Sequence, residues 1–237
     1  MAYGFSHAML DCLPLRLNGA DLLADWSGAL AWPAERTLVV ADLHLEKGTS
    51  FASGGTLLPP YDTRATLDAL EAAILRHDPR RVICLGDSFH DGDGPARLAE
   101  LERRRLAALV ASREWIWIAG NHDPAPPPSI GGTAVPGAFS LGPLTFRHAA
   151  GAISAPGEVS GHYHPKASLW VRGRRLSGRC FLADARRIVL PAFGAYAGGL
   201  DARDPALMEL FPGGCDVHFI GRTRIATLPR DGLDLVS

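Results

Sequence analysis

The stretch Thr37-Leu38-Val39-Val40-Ala41-Asp42-Leu43-His44 joins a short apolar, β-branched run to an aspartate and a histidine. Such a run predicts a buried strand of the kind found in parallel sheets. The two polar residues follow the carboxyl end of the strand, which is the edge where open α/β sheets bind ligands. This stretch therefore predicts both the fold class and the edge of the sheet that carries a site.

The same pattern recurs further along the chain. Four later segments end in Gly86-Asp87, Gly120-Asn121-His122-Asp123, Phe146-Arg147-His148 and Gly161-His162-Tyr163-His164. A lone buried His or Asp is usually a hydrogen-bonded structural residue. Convergence of five independent strand ends by chance is far less frequent, so the set indicates a metal site.

The sequence between these segments predicts how they are connected. Asp62 is a favourable N-cap and Pro79 a stop signal, so we predict a helix from about Asp62 to His77. Pro95 suits the first turn of a second helix that carries Leu98, Leu101, Leu109 and Val110. Strand, helix, strand, helix and strand through residue 119 then predict parallel βαβ units.

The flanking regions have a different character. Residues 13–23 predict a hairpin around the Asn18-Gly19 turn, and residues 29–32 predict a short strand. Loops are predicted at residues 46–60 and 124–137, and turns between short strands at Gly142-Pro143, Gly173 and Asp184. We therefore expect a single domain over residues 1–237, α/β at first and mostly β later.

Composition limits the class of protein. The chain has 237 residues, 47% hydrophobic and 21% charged, which is ordinary for a soluble globular protein. Its net charge of −1 argues against a broadly basic, nucleic-acid-coating surface. Four scattered cysteines without a C-x-x-C pair predict a reduced, cytoplasmic protein. We find neither a signal peptide nor an apolar run of about 18 residues, so no membrane association is expected.

The donor types define the predicted metal site. Mixed carboxylate and imidazole ligands suit divalent ions such as Mn²⁺, Fe²⁺ and Zn²⁺. One ion is assigned to Asp42, His44 and His164, the other to Asn121, His148 and His162, with Asp87 as the bridge. His162 and His164 are expected to alternate on an extended segment, so that both face one cluster. Two such ions form a clamp for displacement at phosphorus.

His122 directly follows a predicted ligand and is the candidate catalytic residue. It could protonate the leaving alkoxide or stabilise charge on phosphoryl oxygens. His90 has two equal interpretations, a loop residue or a residue that supports the ligands. No G-x-S-x-G elbow and no phosphate-binding loop occur in the sequence, which excludes those two mechanisms.

These motifs, from residue 42 to residue 164, resemble the calcineurin-like metallophosphoesterase superfamily. The resemblance implies a four-layer α/β/β/α sandwich with the metals at the carboxyl ends of the strands. Phosphoprotein phosphatases of that superfamily have Asp where His90 stands and Glu where Asp123 stands. A phosphoprotein substrate is therefore not favoured.

Three further segments are similar to a bacterial subfamily, the ligase-associated DNA damage response endonucleases. They are Ala41–Gly48, Leu58–Thr63 and Leu190–Tyr196. The resemblance implies a manganese-dependent phosphodiesterase acting on DNA in repair, in association with an ATP-dependent DNA ligase, a helicase and an exonuclease. The alternatives are a phosphodiesterase for cyclic or linear nucleotides and a non-catalytic scaffold. A scaffold would be expected to lose ligands that this chain retains.

Lys47 and Lys166 are the only lysines among 24 basic residues. Each follows closely behind a predicted metal motif, in a chain that otherwise uses arginine. An ammonium can contact a phosphate without the planar geometry that guanidinium requires. We predict that both lysines bind the substrate, and the alternative is that both lie on solvated loops.

Overall fold

The computed structural model describes residues 12–53, 55, 61–123, 130–151, 155–171, 173–221 and 224–229. Within these residues the first half of the chain builds one β-sheet and the second half builds another. The segment Leu58–Pro60, part of the subfamily resemblance, lies outside the described residues. None of the described helices is long and apolar enough to cross a membrane.

The first sheet contains the apolar strand that precedes Asp42 and His44. Its described strands, in spatial order, are β1 (Cys12–Leu17), β2 (Ala20–Asp25), β3 (Leu30–Trp32), β4 (Thr37–Val40), β5 (Arg81–Leu85), β6 (Glu114–Ile118) and β7 (Thr133–Val135). Strands β1 to β4 are antiparallel, and β4 to β7 are parallel. The predicted hairpin is confirmed, since Asn18 and Gly19 form its turn with φ of 46° and 86°. Part of the predicted 124–137 loop is wrong, because β7 adds an edge strand there.

The described helices of the first half lie between its parallel strands. They are α1 (Lys47–Ser53), α2 (Asp62–His77), α3 (Gly94–Arg97) and α4 (Glu100–Ala111). The predicted loop at 46–60 is therefore wrong over α1. Asp62 does not cap its own helix; its Oδ2 accepts the backbone N–H of Gly48 in α1 at 2.9 Å. The second helix is split, because Leu98 is extended between α3 and α4, with ψ of 125°.

The second sheet supplies the remaining predicted ligands. Its strands are β8 (Ala138–Leu141), β9 (Leu144–Arg147), β10 (Glu158–Ser160), β11 (Lys166–Val171), β12 (Arg174–Ala183), β13 (Arg187–Val189), β14 (Asp216–Ile220) and β15 (Ile225–Pro229). In the described residues the spatial order is β15-β14-β12-β13-β10-β9-β8, and β11 pairs with one end of β12. Strands β9, β10 and β13 run parallel, so β9 and β10 end at the same edge. The turns predicted at Gly142-Pro143, Gly173 and Asp184 are confirmed.

Three buried layers hold the molecule together. Alternate residues of β4 to β6, such as Val40 and Val82, pack outward against α2 and α4. Val39 and Ile83 face the other way, against Phe146 and Phe181 of the second sheet. The outer face of that sheet is covered by a short helix, α5 (Pro205–Met208), and its neighbouring loop. The predicted α/β/β/α arrangement is confirmed, with a thin fourth layer.

A buried carboxylate joins the first sheet to the end of α2. Asp25 accepts hydrogen bonds from Arg76 at 2.6 and 2.8 Å and lies 2.7 Å from His77 Nε2. Burial alone would raise the pKa of Asp25. Hydrogen bonds from His77, Ser27 and Arg76 outweigh burial and hold that pKa well below its usual range. His77 thus takes part in a structural ion-pair network.

Candidate metal centre

The carboxyl ends of five strands meet where the two sheets face each other. In the first sheet, His44 N donates to Asp87 O at 2.9 Å, which aligns the ends of β4 and β5. In the second sheet, Gly161 N donates to His148 O at 2.9 Å. His162 N then donates to Asp42 Oδ2 at 2.9 Å and joins the two sheets. The predicted ligands are therefore brought to a single edge of the molecule.

The first group consists of Asp42, His44 and His164. Asp42 Oδ1 lies 3.4 Å from His164 Nε2, whose distance to His44 Nε2 is 3.2 Å. Asp42 is fully buried, yet its Oδ1 has no hydrogen-bond partner in the described part of the chain. Burial lowers the pKa of His44 from 6.5 to about 3, so its ring is neutral and offers a lone pair. These donors fit a divalent cation.

The second group consists of Asp87, His148 and His162, with Asn121 beside it. His148 Nδ1 lies 2.8 Å from the carbonyl oxygen of Leu85, which can only accept, so Nδ1 carries the proton. In the neutral ring, Nε2 therefore carries a lone pair. It lies 2.8 Å from Asn121 Oδ1 and 3.0 Å from His162 Nδ1. Convergence of such acceptor atoms is the arrangement of a metal-ligand set.

Asp87 lies between the two groups. Its Oδ2 is 3.5 Å from His148 Nε2 and 4.0 Å from His44 Nε2. Its Oδ1 accepts the backbone N–H of His122 at 2.9 Å, which fixes the orientation of the carboxylate. A carboxylate in this position can contact an ion in either group. All seven predicted ligands thus lie within one connected cluster.

The backbone of the cluster is left-handed at several ligands. Asp42, His44 and Asp87 have φ of 53°, 44° and 47°, and His162 and His164 have φ of 73° and 47°. The expected extended segment at residues 162–164 is therefore wrong. The left-handed turn sends the His162 ring to the second group and the His164 ring to the first. Strain of this kind, about 1–3 kcal/mol per residue, persists where surrounding contacts enforce it.

The glycine before each of three motifs makes room for the ligands. A Cβ on Gly120 would overlap Asp87 Oδ1, and one on Gly161 would lie 2.6 Å from Asp42 Oδ2. A Cβ on Gly86 would lie 2.5 Å from His148 Nδ1. These glycines belong to the predicted motifs, but no role was predicted for them. Their position directly before each donor is the signal that could have revealed it.

His122 is held by the backbone of the neighbouring loop. Its Nδ1 lies 2.7 Å from the carbonyl oxygen of His90 and therefore donates to it. The His90 ring stacks on the His122 ring at 5.1 Å, and the His44 ring lies 5.2 Å from that of His122. His90 thus supports His122 through its main-chain carbonyl. The Nε2 of His122 remains as the nitrogen that can act on a substrate.

Two buried carboxylates close to the predicted ligands were not predicted to have a role, Asp123 and Glu46. Asp123 Oδ2 accepts the backbone N–H groups of Ser88 at 2.8 Å and Phe89 at 3.1 Å, in the loop that carries Asp87. Glu46 accepts the hydroxyls of Thr63 at 2.9 Å and Thr49 at 2.7 Å. Each carboxylate lies two residues after a predicted ligand, and this spacing is the sequence feature that could have revealed its role.

The two lysines lie near the cluster of predicted ligands and close enough to each other to interact electrostatically. Lys47 Nζ is 5.9 Å from the centroid of the Phe51 ring, and Lys166 Nζ donates to Ala197 O at 3.3 Å. Burial lowers the pKa of Lys47, and the charge of Lys166 adds to this shift. The charge of Lys47 also contributes to the lowered pKa of His44. Both ammonium groups therefore act on the electrostatics of this region.

Comparisons with known proteins agree with this geometry. The family model described as calcineurin-like phosphoesterase matches residues 35–201, which include every predicted ligand. The solved structure of the Pseudomonas putida nuclease MPE is 28% identical and has a TM-score of 0.72. The match covers 91% of this chain and 100% of the nuclease. YfcE, a phosphoesterase from E. coli, is 17% identical with a TM-score of 0.40, over 81% of this chain and 97% of that one. No curated protein matches.

Proposed function

Because the chain belongs to the calcineurin-like phosphoesterase family and is a metal-dependent phosphodiester hydrolase, we propose that its substrate is DNA and that it uses two adjacent metal ions. The observation that carries the proposal is the position of Asp87 between two donor groups. The similarity to a nuclease over most of the chain favours DNA over a small diester.

The ligand roles follow from the two groups. Asp42, His44 and His164 would hold one ion, Asn121, His148 and His162 the other, and Asp87 would contact both. Metal ions bound there would lower the pKa of a bound water toward about 7 and polarise the phosphoryl oxygens. The hydrogen bond from His148 Nδ1 to Leu85 O and the left-handed turns keep the ligands preorganised.

His122 is assigned to proton transfer. Its Nδ1–H is held by His90 O, so Nε2 can carry a second proton and donate it to the leaving oxygen. In this protonation state both ring nitrogens are donors. The ring lies beside His44 and outside the ligand set, so it can reach a bound substrate without serving as a ligand.

The finer assignments rest on the subfamily resemblance. They are manganese as the native metal, with iron or zinc as alternatives, a role in DNA repair in the cytoplasm, and association with a DNA ligase, a helicase and an exonuclease. The runner-up is a phosphodiesterase for small cyclic or linear nucleotides. The observation in its favour is that Asn121 and His122 are both exposed, so the cluster is open to solvent. A small nucleotide could reach such a cluster as readily as a polymer.

Removal and replacement of metal ions tests the proposal. Chelation is expected to abolish hydrolysis, and Mn²⁺ is expected to restore it better than Mg²⁺, because Mg²⁺ prefers all-oxygen octahedral shells and this site offers four imidazoles. The measurement is turnover of DNA, cyclic nucleotides, bis-p-nitrophenyl phosphate and p-nitrophenyl phosphate after metal addition. Full activity with Mg²⁺ alone would contradict the ligand set, and turnover of cyclic nucleotides but not DNA would favour the runner-up.

Replacement of Lys47 by alanine tests its contact with the substrate. If its ammonium binds a phosphate that flanks the reacting one, the variant should cleave DNA more weakly. The slope of log KM against log salt should fall by about one, the contribution of one phosphate contact. Lys166→Ala is expected to behave in the same way. Bis-p-nitrophenyl phosphate has no flanking phosphate, so its hydrolysis should change much less. Equal losses on both substrates would show that the lysines support the metal centre.

A further inference from the structure

One end of the second sheet extends as a two-stranded ribbon. Strand β11 pairs with residues 174–179 of β12, whereas Cys180–Ala183 of β12 pair with β13 and β14. Side chains alternate between the two faces of such a ribbon. On the outer face, Ala167 and Leu169 are buried in the third core cluster, and Gly178 packs against Phe219. The outer face therefore already has a packing partner.

The inner face of the ribbon is basic and polar. Its three cross-strand pairs are Lys166 with Arg179, Ser168 with Ser177, and Trp170 with Arg175. Arg175 Nη2 donates to Ser168 Oγ at 3.2 Å, as expected for side chains on one face. Trp170 is 49% exposed. Three cations, two hydroxyls and one exposed indole are not the composition of a face that packs on a hydrophobic core.

The base of this face borders a groove opposite α2. The groove has a volume of about 450 Å³, with Lys166, Ser177 and Arg179 on one wall and small side chains such as Ala65 and Ala69 of α2 on the other. Small residues on α2 leave a space of the size that binds ligands in other proteins. Gly194, Ala195 and Ala197 of the following loop also line the groove.

The groove adjoins the metal centre. Gly194 N donates to Asp42 O at 3.1 Å, and a Cβ on Gly194 would overlap Leu43 O, so the loop packs directly on the metal-binding strand end. At the other wall, Lys166 follows His164 by two residues. A polymer bound at the metal centre can therefore continue along the inner face of the ribbon.

In the described part of the chain, the cations on this face form no close ion pair with a carboxylate. One carboxylate lies within electrostatic range: the pKa of Asp201 is lowered by its hydrogen bond with Arg203 and, more weakly, by the charge of Arg175. Among the described residues Lys166, Arg175 and Arg179 form no salt bridge. Arg179 Nη1 donates instead to the carbonyl oxygens of Ala192 at 2.9 Å and Phe193 at 3.4 Å. Arg76 also borders the groove, but it is paired with Asp25. The inner face is thus locally positive on a chain of net charge −1.

We propose that the inner face of the β11–β12 ribbon binds the polynucleotide strand that flanks the reacting phosphate. Lys166 and Arg175 contact phosphates, and a base stacks on the exposed ring of Trp170. A positive groove combined with an aromatic platform is how proteins hold a single strand without reading its sequence. Lys166 and Trp170 are about 13 Å apart along an extended strand, so they contact different nucleotides. This inference rests on the proposed DNA-hydrolase function and locates its substrate.

Two substitutions on the inner face and one on the outer face test the proposal. The loss of base stacking in Trp170→Ala should raise KM for an oligothymidylate about 5- to 150-fold. Arg175→Gln should lower the slope of log KM against log salt by about one. Arg174→Gln removes the same charge from the adjacent residue, which lies on the outer face, and should behave as the wild type. Each Mn²⁺-loaded protein is assayed on the oligonucleotide and on bis-p-nitrophenyl phosphate.

The outcomes separate this inference from the function on which it rests. Selective loss on the oligonucleotide in both inner-face variants, with Arg174→Gln unchanged, supports it. If the wild type cleaves DNA but Trp170→Ala and Arg175→Gln match Arg174→Gln, the ribbon is not the binding face and the DNA function stands. Equal losses on both substrates also overturn it, since the ribbon would then support the metal centre. If the wild type hydrolyses the aryl diester and no DNA, the proposed function and this inference both fail.

Discussion

The Asp87→Ala variant is expected to lose both metal ions and to have no measurable hydrolase activity. The carboxylate of Asp87 lies 3.5 Å from a nitrogen of one donor group and 4.0 Å from a nitrogen of the other. In the proposed ligand set, its removal takes the carboxylate shared by the two groups and leaves Asp42 as the one carboxylate among the remaining six ligands. Metal content by elemental analysis and turnover in the same preparation check the prediction.

A control is needed because Asp87 also accepts the backbone N–H of His122. Asp91→Ala is suitable, since Asp91 follows in the same loop and its carboxylate pairs with Arg97 at 2.7 Å. That variant should retain both metal ions. Thermal unfolding in chelator separates loss of ligand from loss of fold, because without metal the wild type and Asp87→Ala should unfold at similar temperatures. Retention of one full metal equivalent by Asp87→Ala would contradict the bridging role.

The position of the candidate metal centre could be predicted because its signal is local. The donors Asp42, Asp87 and Asn121 closely follow the apolar strands β4, β5 and β6, whose carboxyl ends meet at one edge because the strands are parallel. Asp42 and Asp87 lie at the ends of β4 and β5, which are adjacent and in register. The two-residue spacing of His162 and His164 predicts two ligands, and the structure places one ring in each donor group. The expectation that both rings face the same way from an extended segment is wrong, because the rings turn to different donor groups.

The directions of those rings depend on tertiary contacts. The left-handed turn at residues 162–164 is held by His162 N, which donates to Asp42 Oδ2 across the interface of the two sheets. No property of Gly161-His162-Tyr163-His164 alone distinguishes this turn from an extended segment. The spacing predicted two ligands, and the contact with the other sheet decided which group each joins.

The errors in secondary structure have the same cause. Helix α1 was predicted as a loop because it is short and contains Gly48. Its first turn is stabilised by Asp62, which belongs to another helix. The edge strand β7 has three residues, and it exists through its pairing with β6. Long-range partners of this kind leave no periodicity in the local sequence.

The His122→Ala variant is expected to keep its metal ions and to cleave DNA about 10²- to 10⁴-fold more slowly, which is the usual contribution of general acid–base catalysis. This corresponds to about 3–5 kcal/mol of transition-state stabilisation. His122 lies outside both donor groups, and its Nδ1 is committed to His90 O. If it acts on the substrate as proposed, the loss should appear in kcat, with little change in the salt dependence of KM.

The leaving group decides what His122 does in that step. A deoxyribose alkoxide needs a proton as it departs, whereas p-nitrophenolate leaves readily without one. If Nε2 is the general acid, His122→Ala should be impaired far more on DNA than on bis-p-nitrophenyl phosphate. Equal impairment on both substrates would instead assign His122 to the charge on the phosphoryl oxygens, which develops with either leaving group. Loss of metal from His122→Ala would contradict both roles, since the ring would then be part of the ligand set.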